Sequence, residues 1–336
     1  MGLHLEPPKG LSIEEMNQRS QLFWVAYGME RSLCTNLRLP LSFSEESISA
    51  KFDSISNSTQ PLGLDDLTPL SAAAHICRYR ALETEVHRIL HLEEDLHNFG
   101  FPTIEAWIED ITGRLHDWYQ GAQLYTQYNM LEFKNVQFYH LIARIHRPTP
   151  RLRKRTPKDR QIVLESSLVL IQDYIGQEKR RRLFYPWHGV HILFETAIIT
   201  LEACWASRDW PQSEEIVTKM LQSSIPQCIQ LLRAIGQRWD EASLCANSLA
   251  PLMERVVAAL TSRSMAMLSL VDEVSITEDI EGLLFSDGPL TWNRESLVDP
   301  SFCFPEDADC FGSILGEGLE FFQWDPEWGI MPSEPL

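Results

Sequence analysis

The stretch "QRSQLFWVAYGMERSLCTNLRLP", residues 18–40, decides how the rest of the chain is read. Leu22, Ala26, Met29, Leu33 and Leu37 recur at three-to-four spacing, which predicts one face of an amphipathic helix over 13–37 that Pro40 ends. Phe23, Trp24 and Tyr27 widen the apolar surface, yet Glu30 and Arg31 sit in its middle. General acid–base chemistry needs a pair poised near neutral pH and further groups to work on a substrate. No other motif in the chain supplies them, so a structural role is expected. Arg31, together with Arg19, should hydrogen-bond carbonyls or carboxylates of neighbouring helices.

Outward from that helix the pattern repeats. Residues 42–70 are rich in Ser, Asp and Pro and read as a connecting loop. Helical spacing resumes over 70–97 through Ile76, Leu82, Val86, Ile89 and Leu92. "FPTIEAWIEDITGRLHDWYQ" opens with Pro102 and a Thr103 N-cap, a helix start with a mechanism. A helix over 130–147 stops at Pro148. Further helices are expected at about 158–176, 183–206, 213–235 and 238–264, with Pro226 and Pro251 interrupting or kinking the last two. No run alternates with a period of two. The fold class is all-α, an irregular multi-helix bundle of about eight to ten helices.

From 271 the texture changes. Residues 271–336 hold 16 acidic residues and one basic residue, Arg294, so this part carries most of the net charge of −18. Acids alternate there with Phe and Trp among prolines and glycines, the composition of disordered activation segments. The division expected is a body at 1–268 and an acidic tail at 269–336. Acids keep the aromatics solvated and free to dock in a partner groove as short helices. "EDIEGLLF", with Leu283, Leu284 and Phe285, and "LEFFQWDPEW", with Phe321, Phe322, Trp324 and Trp328, are the docking candidates. The plainer alternatives are a solubilising tail, or a segment folded back on the body.

Several clusters of polar residues bear on chemistry. Glu83, His87 and His91 share a helical face at four-residue spacing but lack H-E-x-x-H, so a solvated face is preferred over a metal site. His188, His191, Glu195 and Glu202 read as one polar stripe on the outer or packing face of a helix. They also argue against a membrane span for the apolar run 183–205. Seven scattered cysteines hold no C-x-x-C and suit reduced thiols of a cytosolic or nuclear protein, with no secretory leader before them. No phosphate loop, nucleophile elbow or dinucleotide fingerprint occurs, so no catalytic residue, bound cofactor or metal is assigned to this chain. "RPTPRLRKRTPKDR", 147–160, is a cationic loop by its prolines. Arg151, Arg153, Lys154, Arg155, Lys158 and Arg160 make a solvated surface loop or a nuclear-import signal; without interleaved aromatics, nucleic-acid binding ranks behind both.

Residues 2–53 resemble the regulatory middle domain of fungal zinc-cluster transcription factors. The likeness rests on Gly2, Leu3 and His4, then Arg19, Phe23, Trp24, Tyr27, Glu30, Arg31 and Pro40, followed by an acidic loop ending at Ile48. "FYHLIARIHRP", ending in His146, Arg147 and Pro148, is similar to a later helix of that family, and weaker echoes extend to about 265. One departure is local: the family's Gly-Arg-Pro is Arg38-Leu39-Pro40 here. Another is large: the six-cysteine zinc cluster that binds DNA in relatives is missing, as are the first helices of the domain. The chain is expected to begin inside that domain, through truncation or as a member without the module.

The resemblance implies a nuclear transcription regulator of a pathway-specific kind, an activator for nutrient or secondary-metabolite genes. Its body would be regulatory and its acidic tail would recruit coactivators. Zinc would belong to the absent cluster alone. Homo- or heterodimers with a related factor, DNA contact only indirectly or through a missing N-terminal domain, and no membrane are the corresponding expectations. The alternative is a co-regulator without a DNA-binding domain, acting through protein partners. A helical small-molecule binder or enzyme ranks last.

Overall fold

The computed structural model describes residues 2–50, 69–125, 133–180, 183, 186–208, 210, 214–264 and 270–285. These residues form helices without a strand. α1 (Ile13–Leu37) starts at a reciprocal capping box between Ser12 and Glu15. α2 (Pro69–Leu90) packs on it, followed by α3 (Ile104–Ala122) and α4 (Lys134–His146). The Thr103 hydroxyl accepts from the Ala106 N–H and caps α3 as its sequence requires. α5 (Pro157–Lys179) lies along α4 and carries the next helix, α6 (Pro186–Ala206). α7 (Glu214–Lys219), α8 (Ile225–Ile235), α9 (Asp240–Ser264) and α10 (Leu270–Leu284) complete the body.

Two apolar clusters organise these helices. One joins α2, α3 and α4 around Trp107, Ile111, Leu115 and Leu141. The other joins α5, α6, α8, α9 and α10 around Leu193, Phe194, Leu232 and Leu249. Tyr139 of α4 packs against both, so α4 is the seam. Close backbone approach matters at Gly121, where an added Cβ would stand 2.9 Å from the His75 ring. That ring is stacked on Trp118, and the two residues exchange bonds: His75 Nε2 with the Trp118 carbonyl (2.9 Å), Trp118 Nε1 to the His75 carbonyl (2.8 Å).

Several expectations are corrected. The Leu22–Ala26–Met29–Leu33 stripe of α1 faces solvent, while Phe23, Tyr27, Arg31 and Cys34 form the buried face. α2 ends at Leu90 rather than 97, because Glu93 turns left-handed (φ 56°) and the Leu92 N–H closes on the His87 carbonyl. Pro226 does not break the α7–α8 run. A π-helical turn over Met220–Ser224 precedes it, and Pro226 stands in the first turn of α8, where its missing N–H costs nothing. α9 runs through Pro251. α6 is apolar and long enough to cross a membrane, but 83% of its apolar window is buried inside the fold. The five described cysteines are buried free thiols.

The largest correction concerns the expected boundary at 268–269. Residues 270–284 are a helix seated on α6 and α9, not an irregular tail. Ile276, Ile280 and Leu284 recur every four residues and are buried, while the acids between them face outward. The Trp205 indole N–H bonds Thr277 (3.0 Å), fixing α10 on α6. Leu283 and Phe285 are half-buried against the same cluster. The 278–285 stretch is therefore part of the body, not an exposed docking motif. Phe321, Phe322, Trp324 and Trp328 lie outside the described residues.

Candidate functional site

Arg31 is fully buried, so its charge must be met within the fold. Its Nε donates to Glu45 (2.8 Å), Nη2 to the Phe43 carbonyl (3.0 Å) and Nη1 to Glu30. Phe43 and Tyr27 flank the guanidinium at 4.4 and 4.9 Å. Glu30 accepts the Ser42 N–H (2.7 Å), and the Tyr27 hydroxyl donates to Glu45 (3.2 Å). Burial and the Glu45 charge push the Tyr27 phenol far up. The partners of Arg31 are thus Glu30 of its own helix and the loop after α1, not neighbouring helices.

The N-terminal residues join the same assembly. Arg19 donates to the Gly2 carbonyl (3.2 Å), and the His4 carbonyl accepts from Ser49 and Ala50 (2.9 and 3.0 Å). Phe23 packs on Trp24 and Phe43. Of the residues that carried the family resemblance, His4, Phe23, Tyr27, Glu30 and Arg31 therefore gather round one feature, the loop 41–50, which they clamp to α1.

A second, deeper set of charges lies where α1, α2, α4 and α6 meet. Glu195 of α6 is its hub: Arg147 Nη1 (2.8 Å) and His140 Nε2 (2.8 Å) bond its two oxygens. Arg38 stands at 3.5 Å and Arg144 at 3.9 Å. Burial alone would raise this carboxyl, but Arg147, Arg144 and His140 hold it well below the usual range. Burial, then the charge of Arg38, push Arg147 down to about 9, against the pull of Glu195. Arg144 Nη2 donates to the Thr35 carbonyl (2.8 Å), closing the C-terminus of α1 onto α4. The polar stripe of α6 therefore packs inward, with Glu195 held charged and His188 and His191 kept neutral by burial.

Arg38 explains the departure from Gly-Arg-Pro. It caps α1 in the left-handed conformation (φ 56°, ψ 35°), where glycine is the usual occupant. The strain has a counterpart: Arg38 Nη1 donates to the Leu284 carbonyl (3.0 Å), the last turn of α10. The residue thus ties α1 to α6 and α10 at once.

His87 of α2 and His91, just past its end, are withdrawn from solvent rather than on a solvated face. Burial holds His87 down to about 4 and His91 well below its usual value, so both are neutral. His87 Nε2 bonds the Leu39 carbonyl (2.9 Å), and Glu83 takes Arg80 (2.7 Å). Among the described residues no group of three or more His, Cys, Asp or Glu is arranged to hold a metal.

Nor is the cationic run 147–160 a uniformly solvated loop. Arg147 is in the core, and buried Arg155 bonds the His146 and Ile145 carbonyls (2.8 and 3.0 Å) and Asp159 (3.0 Å). Asp159 also accepts from the Thr156 hydroxyl (2.7 Å) in a capping box that opens α5, and binds His146 (2.7 Å). Arg151 bonds the Glu94 carbonyl, and Arg160 the Ala206 carbonyl (2.9 Å). Arg153 is exposed but covers the Phe285 ring (4.8 Å), which leaves Lys154 and Lys158 as the fully solvated cations of the import candidate. Pro148 follows in sequence, and the Thr149–Leu152 turn closes by mutual backbone bonds (3.0 and 3.1 Å).

No family model matches the chain, and no solved structure matches it. Among curated proteins, it is similar to Pyrimidine pathway regulatory protein 1 of Saccharomyces cerevisiae, 23% identical over 234 residues. That likeness covers 62% of this chain and 26% of the yeast protein, so the chain corresponds to about a quarter of that relative's length. The likeness to this yeast regulatory protein is distant.

Proposed function

We propose that the chain is the regulatory and activating part of a pathway-specific fungal transcription regulator that works in the nucleus. The observation that carries this reading is the 234-residue likeness to a yeast protein named as a pathway regulator. The clamp built by Arg19, Phe23, Tyr27, Glu30 and Arg31 supports it, because these are the residues on which the middle-domain resemblance rests. In this reading the helical body, residues 2–285, holds the scaffold. The acidic aromatic segment beyond it recruits coactivators through Phe321, Phe322, Trp324 and Trp328. Contact with DNA is indirect or through a zinc-cluster module, and a related factor is the dimer partner.

Disrupting the gene and profiling transcripts tests the reading. A coherent, narrow set of transcripts should change and return when the wild-type chain is restored. An unchanged transcript profile would contradict it.

A further inference from the structure

Under the end of α10 lies a cavity of about 20 Å³, partly open to solvent. Its lining includes Asn36, Arg147, His191 and Glu195, with Leu283 and Leu284 forming the side toward α10. A space of this size holds one water or one compact ion. Its walls are short of acceptors. Among the described residues, Arg147 Nε, His191 Nε2 and Asn36 Nδ2 are buried and find no hydrogen-bond partner. Arg147 and His191 are themselves 1% and 4% exposed, so bulk water does not solvate them.

The charges run in the same direction. Arg144 and Arg147 are both fully buried and converge on one carboxylate, Glu195, whose oxygens are occupied by Arg147 and His140. Glu83 reaches Arg144 only at 4.0 Å and is held by Arg80 at 2.7 Å. Arg38, Arg80, Arg144 and Arg147 thus share two carboxylates, and Arg38 also lines the cavity. Burial keeps His191 neutral, so it adds a polar atom without adding charge. Buried cations left short of acceptors cost several kcal/mol each, and an anion among them would remove that cost.

We propose that the cavity is a site for one compact monoanion, a carboxylate group or a halide, held by Arg147, Asn36 and His191 beneath the last turn of α10. Glu195 does not exclude it, because three guanidinium groups, Arg38, Arg144 and Arg147, stand against its single negative charge. The anion completes the polar seam between α1, α4 and α6 and stiffens the seat of Leu283 and Leu284. The inference stands independently of the transcriptional reading.

The test uses the purified full chain in a gluconate buffer, an anion too bulky for the cavity, at fixed ionic strength. Gluconate is replaced stepwise by chloride, formate or acetate while thermal unfolding is followed, and chloride binding is read directly from chloride NMR line broadening. The midpoint should rise by a few degrees and saturate with chloride or formate. Formate saturating at the lower concentration identifies a carboxylate as the natural occupant; chloride doing so identifies a halide. Asn36→Leu and His191→Phe, which remove a polar group from the cavity wall without touching the ion pairs, should weaken the response at least tenfold. Equal midpoints in all salts would overturn the proposal and leave water in the cavity. A saturable response that both folded variants retain would overturn its location. Should one variant fail to fold, the other decides the location.

Discussion

At the residue scale the instructive side chains are arginines. Arg31 has two carboxylates, a carbonyl and two aromatic rings around it and no solvent. Truncation would leave Glu30 and Glu45 facing each other without a cation. Arg31→Ala should therefore lower stability by about 3–5 kcal/mol, read by urea denaturation. An unchanged midpoint would show that the clamp contributes nothing. Glu202 behaves oppositely. It is raised to about 7 by burial and by Glu281 of α10, against the pull of Arg160 and Arg155. The folded state therefore binds a proton that the unfolded state releases near its ordinary value of 4.5. Its contribution is complete below that value and is lost as pH rises toward about 7. Glu202→Gln should flatten this fall and raise the unfolding midpoint at pH 8 by a few degrees. A parallel pH profile in the variant would contradict the assignment.

At the scale of elements, what could be seen in the sequence followed from how far hydrophobicity alone decides burial. α3 was legible because Thr103 caps it and its apolar positions are its buried ones: Trp107, Ile111, Leu115 and Trp118. α1 was legible as a helix but not in its rotation. Counting apolar residues favours Leu22, Met29 and Leu33, yet the buried face is the one that carries Arg31, since its loop partners neutralise it. On α6 the stripe was legible as an outer or packing face, and it is the packing face, where Glu195 meets charges contributed by α4 and α1. α10 was masked by composition: its acids made it resemble the segment that follows, while Ile276, Ile280 and Leu284 kept a helical period. Arg38 links these elements. Arg38→Gly would relieve a left-handed backbone by about 1 kcal/mol but cut the bond to the Leu284 carbonyl. Amide exchange should then quicken in the last turn of α10 while α3 and α4 stay protected. Unchanged exchange in α10 would mean that the link carries no weight.

At the scale of the whole molecule, residues 1–285 hold 28 basic and 36 acidic residues, a net −8, and residues 286–336 hold one basic and 11 acidic, a net −10. The body's buried charges gather in the clamp of the 41–50 loop and the seam around Glu195, while the acids of α10 face outward. The net charge of the chain is therefore shared between the helical body and a much shorter final part. Composition made that division visible, although it set the boundary at 268–269 rather than after α10. The motif at 19–40 was legible as scaffold because no chemistry accompanied it. Its partners were not, because they come from a loop whose sequence, "SFSEESIS", carries no period.

The central claim, that the chain activates transcription through its acidic aromatic segment, is most directly tested by fusing residues 1–336 to an unrelated DNA-binding domain and reading a reporter. The wild-type fusion should activate. Joint substitution of Phe321, Phe322, Trp324 and Trp328 by alanine should lower the signal several-fold at equal protein level. A silent wild-type fusion, or a substituted fusion as active as wild type, would contradict it.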